Sequence, residues 1–128
     1  APFIAPYMGS TKKFTTFLLT FLPEPPSDRP EKAFQISWKK KDMKRSFKAI
    51  YGYRSRALHG GKPFPGPMCN GPDERPDNSL VEKNVGLATS MKGSTWLSKD
   101  LPMMLHVFEY IVRHTIKSWW TGTLLQAE

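Results

Sequence analysis

The stretch AIYGYRSRALHGG, residues 49–61, decides the fold because it closes the clearest amphipathic helix of the chain. Apolar residues recur every three or four positions on one side of this pattern, and lysines and arginines occupy the other side. The apolar set is Met43, Phe47, Ile50, Tyr51 and Leu58, and the charged set is Lys44, Arg45 and Lys48. Asp42 opens the predicted helix, which covers residues 42–58, and Gly60 and Gly61 supply a left-handed end.

The end of this helix brings an arginine and a histidine close together in sequence. The Arg54 guanidinium can hold a phosphate in a planar fork, and the His59 imidazole can transfer a proton. On a straight helix the two lie about 140° apart, so we expect fraying near Leu58 if they are to meet. Arg56 is the nearer helical neighbour of His59. Spacing by itself favours a structural role, because cations near a helix C-terminus stabilise its dipole by about 0.3–1 kcal/mol.

Two further helices are predicted from apolar spacing. The first covers residues 10–22, with Ser10 or Thr11 as its cap, and the second covers residues 101–120, with Asp100 in its opening turn. No internal repeat is visible in the sequence.

The remaining segments are predicted from composition. Residues 31–38 alternate like a strand but also fit a helical turn, and we favour the helix. Residues 62–95 are rich in proline, glycine, asparagine and aspartate, which predicts a long loop that is either functional or partly unordered. The expected fold is therefore all-α, a small helical bundle with long irregular loops.

Length and charge limit the class of protein. The 128 residues predict a single domain, 1–128, in which residues 1–9 are a linker or a remnant of cloning. The chain does not begin with Met, which suggests a fragment of a larger parent protein. Lysine and arginine number 19 against 11 acidic residues, and the net charge of +8 favours an anionic partner such as nucleic acid. The run containing Lys40, Lys41 and Lys44 could follow an RNA backbone, and a solvated helix face is an equal alternative.

Cysteine content and hydropathy give the expected location. The single Cys69 excludes an internal disulfide and any multi-cysteine zinc site, which favours the reducing cytoplasm. No apolar stretch reaches the roughly 18–20 residues that span a bilayer, so no membrane segment is expected.

The other polar and aromatic groupings favour structure over chemistry. His106 and Glu109 could be half of a metal site, but no matching pair is evident, and Glu109 with Arg113 is more simply a helix-surface ion pair. Trp119 and Trp120 are interpreted as packing or dimer contacts in preference to base-stacking groups. No partner is evident for His114, and Cys69 is not expected to be a nucleophile.

The segment IYGYRSRALHG, residues 50–60, resembles the signature of the HEPN superfamily, small helical domains marked by an arginine, four to six residues and a histidine at a helix end. The resemblance covers about a dozen residues and extends to the order of the helices. It departs at Ser55, where active members often carry Asn, Asp or His.

The resemblance implies a metal-independent endoribonuclease of the toxin or phage-defence type, acting on single-stranded RNA in a cleft between two copies. His59 would be the acid/base group and Arg54 would hold the scissile phosphate. Ser55, Arg56 and the lysines 40, 41 and 44 would contact RNA, with no metal or other cofactor. An antitoxin or a larger bacterial parent protein would be the further partner. The alternatives are a non-catalytic RNA-binding or adaptor domain and a helical dimerisation module of a larger protein.

Overall fold

A computed structural model describes residues 9–69, 74–91 and 93–127. Its elements in chain order are α1 (Ser10–Thr20), α2 (Lys40–Gly60), the single turn α3 (Gly66–Cys69), β1 (Ala88–Met91), β2 (Ser94–Leu97) and α4 (Leu105–Ala127), with 3-10 turns at Lys32–Phe34 and Ser98–Asp100. The linker or cloning remnant predicted for residues 1–9 lies outside the described residues apart from Gly9. Within those residues, no helix is both long and apolar enough to cross a bilayer.

The core is formed where α1, α2 and α4 pack together. Each helix turns its apolar stripe inward, because burying that stripe removes hydrocarbon from water. The fully or nearly fully buried members are Leu18, Met43, Phe47, Ile50, Val107 and Ile111. The ring of Phe14 joins the three helices, with its centroid 5.2 Å from that of Tyr51 and 6.3 Å from that of Phe108.

The predicted all-α fold is wrong, because residues 88–97 form a β-hairpin. β1 and β2 are antiparallel, with Ala88 opposite Leu97 and Met91 opposite Ser94. Gly93 has a φ of 81°, which suits the tight connection between the strands. The hairpin packs on α2 through Trp96, whose ring meets the Tyr53 ring edge-on at 6.2 Å. Residues 62–95 are therefore not one continuous loop.

The predicted helices exist, but several boundaries differ. α1 begins after Gly9, and no side chain caps it, so the cap predicted at Ser10 or Thr11 is wrong. α2 begins at Lys40, two residues before Asp42. α4 begins only at Leu105, and the buried residues Leu101, Met103 and Met104 before it lie in chain without regular secondary structure.

The helix favoured for residues 31–38 is also wrong. Only the turn Lys32–Phe34 is helical, Gln35 is extended, and residues 35–38 form no helix. The backbone N–H of Ile36 donates to a Glu82 carboxylate oxygen at 3.0 Å. In an α-helix through residues 31–38, this N–H would bond to the carbonyl four residues earlier and would not be free to reach Glu82.

A buried ion pair fixes the long connections around the helices. Arg29 donates from Nε and Nη2 to the two carboxylate oxygens of Glu82, at 2.9 and 2.7 Å. Its Nη2 also donates to the Ile36 carbonyl at 3.0 Å. The Glu82 carbonyl accepts from the N–H of Met104 at 2.9 Å, one residue before α4. Through these bonds, the segments that contain Arg29, Ile36 and Glu82 are joined to one another and to the start of α4.

Candidate functional site

The C-terminal end of α2 is shaped by the glycine that the sequence places there. Gly61 lies in the left-handed region with a φ of 67°, and its N–H donates to the Arg56 carbonyl. The N–H of Lys62 reaches the same carbonyl at 3.3 Å. The predicted glycine stop is confirmed at Gly61, while Gly60 is still helical. His59 consequently lies in the last turn and is exposed.

Arg54 and His59 do not meet within one chain. The helix continues through Gly60, so it does not fray near Leu58, and the two side chains leave the axis about 140° apart. Among the described residues, no hydrogen bond or ion pair joins them. The Arg54 guanidinium lies instead 5.5 Å from the centroid of the Tyr51 ring. Within one chain, Arg54 and His59 therefore do not form a common site.

Arg56 occupies the side of the helix nearer to His59, about 60° away around the axis. Its guanidinium lies over the Tyr53 ring, 4.8 Å from the centroid. This cation–π contact holds the head group against the helix surface while leaving the residue exposed. Ser55, between the two arginines, is half-buried.

The solvent side of α2 carries a dense set of cations. Seven lysines and arginines accompany one acid, Asp42, which accepts a hydrogen bond from the Ser37 hydroxyl at 2.5 Å. All seven cations are exposed, and none of them forms an ion pair with a described residue. We define the basic face as Lys41, Lys44, Arg45, Lys48 and His59, which fall within about 100° of arc on a helix roughly 30 Å long. This face could hold several phosphates of one polyanion at once.

Two lysines of α2 lie where their positive charge does not stabilise the helix. Lys40 and Lys41 form the first turn, where the dipole disfavours positive charge by about 0.3–1 kcal/mol each. Asp42 is the one acid of that turn. Binding of an external anion to these side chains would offset this unfavourable interaction with the helix dipole.

Tyr53 is the residue where α2, the hairpin and the turn before α4 meet. Its hydroxyl donates to the Asp100 carbonyl at 2.7 Å. Burial raises the pKa of the Tyr53 phenol, the Asp100 charge adds to that rise, and Arg56 opposes it. Beside this contact lies a cavity of about 270 Å³ whose walls include Arg45, Lys99 and Asp100. Sequence reasoning did not identify this cavity, because Tyr53 and Asp100 are 47 residues apart.

A second cavity, of about 400 Å³, lies along α4. Its walls include His106, Glu109 and Arg113. Burial lowers the pKa of His106, although Glu82 and Glu109 partly oppose that shift. Glu109 and Arg113 form the expected ion pair at 3.5 Å. Across the parts of the chain that the structure describes, no three histidine, cysteine or acidic side chains cluster as a metal site.

The remaining residues singled out from sequence are placed as follows. His114 does have a partner, since its ring lies 4.3 Å from that of Tyr110. Trp119 packs edge-on against Phe17 at 6.1 Å, while Trp120 is 54% exposed. Cys69 is free and exposed.

Comparison of the chain with protein-family models, with curated proteins and with solved structures finds no match.

Proposed function

We propose that this protein binds single-stranded RNA along the basic face of α2 and that a dimer of it cleaves the RNA with Arg54 and His59. The observation that carries the binding proposal is the set of seven exposed cations on α2, none of which forms an ion pair with a described residue. Binding to phosphates would release counterions and remove the repulsion within this set. The proposal includes membership of the HEPN superfamily, which rests on residues 50–60, and a cytoplasmic location, which the lone free Cys69 favours.

The binding proposal is tested by removing charge from the first part of α2, where Lys40 adjoins the Lys41 and Lys44 of the basic face. We expect Lys40, Lys41 and Lys44, changed together to Gln, to weaken binding of a single-stranded RNA 12-mer. The slope of log affinity against log salt should become shallower by about 2, because each phosphate contact on a single strand contributes about 0.7. The measurement is fluorescence anisotropy over a range of salt concentrations.

A matched control removes the same charge elsewhere. Lys12, Lys32 and Lys117 are exposed and lie off α2, so their joint change to Gln should leave the salt slope nearly unaltered. Equal losses in the two triple variants would contradict a binding face on α2.

Cleavage is the second candidate function, and the exposure of Arg54 and His59 favours it. An imidazole can take the proton of a ribose 2′-hydroxyl, whose oxygen then attacks the adjacent phosphorus. The 5′-oxygen leaves with a proton, and the products are a 2′,3′-cyclic phosphate and a 5′-hydroxyl. A guanidinium offsets the negative charge that develops on the phosphate. Because the two residues diverge by about 140° on one helix, the proposed centre takes Arg54 from one copy and His59 from the other.

The cleavage proposal predicts different effects for substitution of His59 and of Arg54. His59→Ala should abolish cleavage and leave binding nearly intact, whereas Arg54→Ala should impair both. Mixing the two inactive variants is the sharper test, since a mixed dimer restores one complete centre and should recover part of the activity. Arg56→Ala is the control, and loss of activity there, with Arg54→Ala active, would contradict the assignment.

Two alternative functions can be tested with the same proteins and RNAs. Binding without cleavage at any pH from about 6 to 8 would support a non-catalytic RNA-binding or adaptor domain. A dimerisation module is favoured by one observation, an apolar groove of about 620 Å³ on α4 whose walls include Phe108, Val112 and Ile116. Light scattering would detect that module as a wild-type dimer that Ile116→Glu disrupts. A toxin or phage-defence role would additionally require an antitoxin or a trigger.

A further inference from the structure

The cavity beside Tyr53 differs from the basic face next to it in containing an acid. Its lining side chains include two cations, Arg45 and Lys99, and a single carboxylate, Asp100. Arg45 also belongs to the basic face, so the cavity opens along the path proposed for the RNA backbone. Its volume of about 270 Å³ is close to the lower limit of small-ligand pockets, near 300 Å³, which suits one base with its ribose.

The position of Asp100 is fixed by main-chain contacts. Its carbonyl accepts the Tyr53 hydroxyl at 2.7 Å, and the N–H of Leu101 closes the turn onto the Ser98 carbonyl at 3.1 Å. Within the described chain, no hydrogen bond or ion pair occupies the Asp100 carboxylate. The ordered backbone therefore holds the Asp100 carboxylate, which has no hydrogen-bond partner among the described residues, at the wall of a cavity that Arg45 and Lys99 also line.

This combination selects among the four RNA bases. A carboxylate only accepts hydrogen bonds, and its two oxygens can take two parallel donors. Guanine offers two adjacent donors, N1–H and the N2 amino group. Adenine and cytosine each place a ring nitrogen acceptor beside their amino group, and uracil places carbonyl oxygens on both sides of its one N–H. Those acceptors would face the carboxylate and be repelled.

We propose that this cavity binds a guanine base of single-stranded RNA through the Asp100 carboxylate, with Arg45 and Lys99 beside the adjoining phosphates. The inference rests on the proposed RNA binding and adds base preference to it. Ala49 and Pro102 supply apolar wall for the base. Asp100 is in this sense a specificity-determining residue.

The test measures the affinity of the full chain for 12-mers of uridine with one central G, A or C, and for the all-uridine 12-mer. We expect the G-containing RNA to bind at least about fivefold more tightly than the other three, as a bidentate base contact provides. Asp100→Asn should reduce that preference to within about twofold and leave affinity for the all-uridine RNA equal or slightly higher. The variant should fold, because Tyr53 bonds to the main chain of Asp100, and circular dichroism checks this.

Lys99→Gln is the matched control, which should weaken all four RNAs by a similar factor and keep the guanine preference. Equal affinity of wild type for the four RNAs would overturn the inference, as would a preference that survives Asp100→Asn. If salt-dependent binding that requires Lys40, Lys41 and Lys44 persists without a preference, only this inference fails. If none of the 12-mers binds at low salt, the proposed function fails with it.

Discussion

Replacing Glu82 with Gln should destabilise the protein strongly, because it breaks a buried ion pair. The Glu82 side chain is 4% exposed and accepts three hydrogen bonds, two from Arg29 and one from the Ile36 N–H. Gln can keep one acceptor but turns an amide NH₂ toward the guanidinium, so Arg29 is left buried without its counter-charge. Breaking a buried pair in this way costs about 3–5 kcal/mol.

The expected loss lies at the lower end of that range, about 3 kcal/mol, because Arg29 keeps 16% exposure and its bond to the Ile36 carbonyl. Equilibrium urea unfolding measures it as a fall in midpoint of about 1–3 M, since denaturant slopes for small domains are about 1–3 kcal/mol per molar. Glu109→Gln is the matched control, because it breaks an exposed Glu–Arg pair and should cost at most about 0.5 kcal/mol. The reasoning is refuted if Glu82→Gln costs less than about 1 kcal/mol.

The remaining predictions concern pH and the end of α2. Because burial lowers the pKa of folded His106, the unfolded chain takes up more protons as pH falls through the ordinary value of 6.5, and the free energy of unfolding should fall with it. Urea unfolding between pH 7.5 and 5 should show a flatter dependence in His106→Gln, and an unchanged dependence would count against the buried imidazole. Gly61→Ala should cost about 1–2 kcal/mol because φ is 67° there, whereas Gly60→Ala, in the helix with open space for a methyl group, should be neutral or slightly stabilising. Thermal melts of the two alanine variants would contradict this account if they coincided.

The sequence by itself determined the elements that depend on neighbours along the chain. Apolar residues three and four apart specified α1, α2 and α4, and Gly61 specified the end of α2 because glycine alone enters the left-handed region at little cost. The exposure of Lys41, Arg45, Lys48 and Arg56 also followed from this periodicity, since they lie opposite the buried stripe. These features are local and are set by helix geometry.

The hairpin was beyond the reach of the same reasoning. β1 and β2 are four residues each and half-exposed, which leaves too few alternating positions to stand out from the proline- and glycine-rich segment around them. A two-stranded hairpin is marginal alone, so its packing through Trp96 onto Tyr53 is needed to stabilise it. Helix starts were also misplaced, because Leu101 and Met103 satisfy an apolar stripe equally well when buried in extended chain.

Only the tertiary structure decided which polar groups meet. Arg29 pairs with Glu82 across 53 residues, and Tyr53 meets Asp100 across 47. No pattern within either segment anticipates these contacts, because each exists only after helices and connections have packed around a common core. The separation of Arg54 from His59 was also settled by structure, since the helix continues through Gly60 instead of fraying. Local periodicity specifies where a side chain leaves its own helix, and packing of distant segments specifies what it finds there.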